Sequence, residues 1–114
     1  MSVTCTITED NLGSDDIRIT LDGRELARFK INDGTVGDPE VKHLYPDDSW
    51  PVHAGSRVLV EEIDLLDPND VILDHTFTAD DILLPVLGLD GQGSGSYRFA
   101  FTFENLGENL SMNR

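Results

Sequence analysis

Glu62, Asp64, Asp67 and Asp70 fall within nine positions of the stretch "VEEIDLLDPNDVIL", and Glu9, Asp10, Asp15 and Asp16 crowd a second one, "TEDNLGSDDI". Clustered carboxylates are the ligands that a hard cation selects. Calcium takes about six to eight oxygens at ~2.3–2.6 Å, and two neighbouring loops can supply them without a helix. Glu62 and Asp64 are two apart, so they project to the same side of a strand end, and the turn "DPND" can fold Asp70 back toward them. An EF-hand is a different pattern. It needs ligands at alternate positions, a glycine at the sixth and a glutamate at the twelfth, whereas Asp64, Asp67 and Asp70 are three apart and no glycine follows. The competing explanation is that acidic turns keep loops solvated and discourage edge pairing.

Other chemistry is poorly represented. His43, His53 and His75 lack metal-ligand spacing and sit in no Ser or Cys nucleophile motif, and His75 in "LDHTF" alternates as a strand surface residue would. A glycosidase-type carboxylate pair would need a cleft that a chain of 114 residues rarely provides, so the protein is expected not to be an enzyme. Trp50, the only tryptophan, stands among prolines and acids with Tyr45 nearby. The two are candidates for partner binding or for covering one end of the core. The single Cys5 excludes an internal disulfide and alternates with Val3 and Ile7 as a buried apolar side chain would.

The elements that must position these carboxylates are strands. Period-two alternation marks "SVTCTIT", "DIRITL" and "SYRFAFTFE", while "RELARFKI" sets Ala27, Phe29 and Ile31 against Arg28 and Lys30. The pair Asp22-Gly23 is a two-residue hairpin signal. "SRVLVEEIDL" and "VILDHTF" add two strands joined by the acidic loop, and "PEVKHLY" holds a shorter one. Only "TADDILLPVLG" reads as helical, with Thr78 as N-cap, Asp81 completing a capping box and Pro85 limiting it to about one turn. The Gly/Ser stretch near residue 91 reads as a flexible connection. The expected fold is all-β, a single antiparallel β-sandwich of seven to eight strands over residues 1–105. A polar tail, 106–114, is expected to become ordered only against a partner.

Charge limits the partners. Eight Lys and Arg stand against 22 Asp and Glu, a formal net charge of -14, which repels nucleic acid and bare anionic lipid and favours cations or basic proteins. The same excess would serve as a solvating surface in a salt-adapted protein. No apolar run approaches the ~20 residues of a membrane span, and "MSVTCTITED" lacks the features of a secretory signal. A cytoplasmic location is expected, with release by a non-signal route left open.

The two acidic loops together resemble those of the C-two domain, the calcium-dependent lipid-binding β-sandwich. Its first loop reads approximately D-x-x-G-x-S-D-P-Y-V; here "EDNLGSDDIRI" puts Ser14-Asp15 on the Ser-Asp pair and Glu9 six residues before Asp15. Its third loop reads approximately D-x-D-x(5)-D-[FH]-[IL]-G; here "EIDLLDPNDVIL" puts Glu62, Asp64 and Asp70 on the acidic positions. Glu9 and Glu62 stand where aspartates are usual, and Leu73 replaces the glycine. The chain is similar also to compact bacterial β-sandwich domains with "T-E-D" near the start. The resemblance implies a C-two-like, non-catalytic binding module with calcium as cofactor. Its ligands would be Glu9 or Asp10, Asp15, Glu62, Asp64 and Asp70, with Asp67 in reserve. A protein partner is then expected, and anionic lipid only where calcium bridges. The alternative is a metal-independent interaction protein, an assembly component or inhibitor, that offers an acidic face to a basic partner.

Overall fold

The computed structural model describes residues 2–7, 14–32, 37–44, 51–63, 68–93 and 95–103, with the backbone alone for 2–7 and 14. Among the described residues eight strands form: β1 (Ser2–Ile7), β2 (Ser14–Leu21), β3 (Arg24–Asn32), β4 (Glu40–His43), β5 (Arg57–Glu62), β6 (Asp70–Thr76), β7 (Leu87–Asp90) and β8 (Ser96–Phe101). They pair, all antiparallel, into two four-stranded sheets of order β4-β1-β8-β7 and β3-β2-β5-β6. The all-β expectation holds.

Alternation explains which faces are buried. Ile17, Ile19 and Leu21 on β2, Val58 and Val60 on β5, and Tyr97, Phe99 and Phe101 on β8 are buried at every second position. With Ile31, Ile72, Leu73, Phe77 and Leu87 they form one cluster drawn from both sheets. Phe77 holds one end, meeting Phe101 and Phe103 edge to face at centroid distances of 5.4 and 5.6 Å. The inward reading of Cys5 concerns a side chain outside the described set.

Two turns set the registers that matter below. Asp22 and Gly23 both adopt positive φ, 51° and 84°, which matches the twist of the β2–β3 hairpin. The backbone N–H of Asp22 donates to the Arg57 carbonyl and its side chain accepts from the Arg57 N–H, both at 2.9 Å, so the hairpin is tied to the start of β5. After β6, Thr78 and Asp81 exchange the expected capping-box bonds at 2.9 and 3.0 Å. The helix they start is a single 3-10 turn, Asp81–Leu83.

β7 is the element that the sequence reading did not separate from this turn. It carries Leu87, Gly88, Leu89 and Asp90, with no β-branched residue, and is held by pairing Leu87 with Phe101 and Leu89 with Phe99. Gly91, just past its end, is where the sheets approach one another. A Cβ there would stand 2.9 Å from Ile72 Cγ2, 3.0 Å from Tyr97 Cβ and 3.2 Å from Phe99 Cε2, all parts of the core. Gly91→Ala is therefore expected to cost about 1–3 kcal/mol, read as a lower urea midpoint. Gly88→Ala is the control, since its close neighbour is the end of the flexible Arg98 side chain, and a similar loss there would argue against the steric account.

Candidate functional site

The acidic end of the β3-β2-β5-β6 sheet is built by register. Ile17 of β2 lies opposite Glu62 of β5, and Glu62 lies opposite Asp70 of β6. The Ile63 N–H donates to the Asp16 carbonyl at 2.8 Å, which carries the β2–β5 pairing one step further toward the loops. Asp15 is two residues before Ile17 and so shares its face. It is the diagonal neighbour of Glu62, at a Cα separation of about 7–8 Å for such pairs. Asp15, Glu62 and Asp70 thus occupy one end of three consecutive strands.

The first two are buried where a core residue would be, Asp15 with 1% of its surface exposed and Glu62 with 3%. Alternation puts them there: Asp15 continues the inward row of Ile17, Ile19 and Leu21, and Glu62 continues that of Val58 and Val60. Burying a carboxylate is costly without hydrogen bonds or a cation. Part of that cost is offset by Tyr97 of the opposite sheet, whose hydroxyl donates to Asp15 Oδ2. Asp70 is exposed.

A bulge between Val60 and Glu61 changes the register of β5 against β6, letting Ile72 and Leu73 both be buried while Asp70 still meets Glu62. The neighbouring Glu61 faces outward and pairs with Arg18 at 2.9 Å. Alternate positions of one strand end therefore have opposite roles, a surface ion pair at 61 and a buried carboxylate at 62.

The remaining predicted ligands, Glu9, Asp10, Asp64 and Asp67, and the partner candidates Tyr45 and Trp50, lie outside the described residues. Among the described residues no group of three or more His, Cys, Asp or Glu is placed to hold a metal ion, so Asp15, Glu62 and Asp70 do not by themselves make a complete site. Sequence reasoning missed Tyr97 as a site residue. The available signal was a lone hydroxyl in the inward row Tyr97, Phe99, Phe101; a buried tyrosine needs a partner for its O–H.

His75 requires a correction. It is half-buried rather than a surface residue, because it lies opposite Val58 and on the same face as Leu73. Its ring meets Phe77 edge to face at 5.4 Å, and Nε2 lies 2.9 Å from Asp81 Oδ2. The Asp81 carboxyl is held below the usual aspartate range, first by the Thr78 backbone N–H and then by His75. A carboxyl lowered in the folded state stabilises above its unfolded value, and that contribution is lost as pH falls through the lower, folded value. Asp81→Asn should therefore lower the unfolding midpoint at neutral pH, with the two proteins converging below the ordinary aspartate range. A constant difference down to strongly acid pH would contradict this.

Elsewhere on the surface Arg57 makes a two-pronged pair with Asp74, 2.7 Å on each bond, and Arg98 reaches Asp90 at 2.7 Å. These pairs are exposed and contribute little to stability. A shallow cleft of about 310 Å³ between Leu21, Asp22, Arg24, Pro51 and His53 opens at the opposite end of β2 from Asp15.

Fold and site together define the class: an all-β protein of two antiparallel sheets with a carboxylate-rich end. No family model, no curated protein and no solved structure matches this chain. Among the described residues no helix is long and apolar enough to cross a membrane.

Proposed function

We propose that this protein is a non-catalytic, C-two-like binding module whose acidic sheet end takes calcium and through it a ligand or partner. The observation that carries the reading is the burial of two carboxylates, Asp15 and Glu62, on neighbouring strands at the end from which both acid-rich segments run. In the sequence Asp64 follows Glu62 by two residues and Asp10 precedes Asp15 by five, and these are the further oxygen ligands that the reading calls on. A cation there would relieve repulsion among the carboxylates and stabilise the fold by mass action, about 2.7 kcal/mol at a hundredfold excess over Kd.

The test is the unfolding midpoint in chelator, then in millimolar calcium, then in magnesium. A rise with calcium and a much smaller one with magnesium supports the module, since magnesium demands a tighter octahedral cage. No rise with either cation overturns it. The protein would then be a metal-independent interaction protein with an acidic face, a reading that the net charge of -14 favours.

A further inference from the structure

A second surface lies at the other end of the molecule and belongs to different chemistry. β6 runs from Asp70, beside Glu62, to Thr76, beside Arg57, and the 3-10 turn follows it there. The chain then presents four consecutive apolar residues to solvent: Leu83, Leu84 and Val86 are 80%, 45% and 55% exposed, and Pro85 between them is exposed as well. Such a run on a surface connection is unfavourable unless something covers it.

The run is held in place at both ends. Ile82 packs against the core on one side and Leu87 is buried at the start of β7 on the other. Leu83 and Leu84 N–H groups donate to the Asp80 and Asp81 carbonyls at 3.2 Å, closing the turn that lifts the leucines outward. The ledge is a feature of the fold.

Charge says what would cover it. The chain as a whole carries a formal net charge of -14, and Asp80 and Asp81 stand just before the ledge in the chain. Asp81 and Asp90 are engaged by His75 and Arg98. Asp80, exposed at the foot of the turn, is in no ion pair among the described residues. A second copy of a chain with charge -14 would meet its own repulsion, as would an anionic membrane.

We propose that Leu83–Val86 is a docking ledge for a partner protein segment that presents apolar side chains flanked by Lys or Arg. The apolar contacts supply most of the affinity, and Asp80 steers and orients the basic residues. The inference does not depend on calcium.

Titrating the full chain into a labelled peptide of alternating Leu and Lys, followed by fluorescence anisotropy, tests it. Binding should weaken by about tenfold or more when the peptide leucines become Ser at unchanged charge, and by a similar factor in L83S/V86S. Asp80→Asn should reduce the salt dependence of binding. Both altered sites are exposed, so an unchanged unfolding midpoint shows that the variants fold. The proposal is overturned by absent binding of the Leu–Lys peptide, by equal binding of the Ser–Lys peptide, or by undiminished binding in L83S/V86S. Sedimentation showing a wild-type dimer that L83S/V86S dissolves would overturn it too, because a second copy would then be the occupant.

Discussion

Asp15→Asn combined with Glu62→Gln is expected to raise the unfolding midpoint in chelator and to abolish the rise that calcium produces. The two substitutions keep size and one acceptor oxygen each, so Tyr97 can still donate to residue 15. What they remove is charge at two positions with 1% and 3% exposure. Two like charges on diagonal neighbours of adjacent strands repel one another, and the amides remove that repulsion. Relief of about 1 kcal/mol would appear as a gain of roughly 4–6 °C in Tm. With calcium present the sign reverses: the wild type gains the linkage stabilisation and the variant, lacking its two buried ligands, does not. Scans of both proteins in chelator and in calcium decide the matter. A calcium rise preserved in the variant would place the ion elsewhere, and a variant that unfolds early in chelator would make the carboxylates structural, held by the hydrogen bonds that an amide fails to reproduce.

Phe99→Ala is expected to cost about 3–5 kcal/mol, against a total of about 5–15 for a domain of ordinary stability. Phe99 is fully buried at the middle of β8, flanked along its strand by Tyr97 and Phe101. Its ring stacks on Tyr97 with centroids 6.2 Å apart, and it lies against the Gly91 backbone where the sheets approach. Truncation would empty the contact that joins β8, β7 and β6, and the loss would reach Asp15 through Tyr97. The measurement is urea unfolding by far-UV circular dichroism. A midpoint within the range of conservative surface variants would mean that the core is not organised around this ring.

The strands were legible because alternation is a local property. In "DIRITL" and "SYRFAFTFE" every second side chain is apolar, and those are the buried ones, with Phe103 at the end partly so. The hairpin at Asp22-Gly23 and the capping box at Thr78 and Asp81 were legible for the same reason, since a few adjacent residues decide each conformation. β7 was not legible. Its four residues have little strand preference of their own and become a strand only because Phe99 and Phe101 supply the ladder. His75 was misread because its alternation in "LDHTF" was assigned to the outer face, whereas Leu73 on the same face is buried and His75 lies opposite buried Val58.

The candidate site divides along the same line. The sequence by itself determined that carboxylates gather in two short stretches and that the chain carries a formal net charge of -14. Only the tertiary structure decided that Asp15 and Glu62 belong to neighbouring strands, that both are buried, and that Tyr97 from the opposite sheet holds one of them. The reason is that strand order and register depend on contacts between residues far apart in the chain, and a 47-residue interval separates Asp15 from Glu62. Alternation shows which way a side chain faces along its own strand; which strand lies beside it is settled by the burial of the whole core.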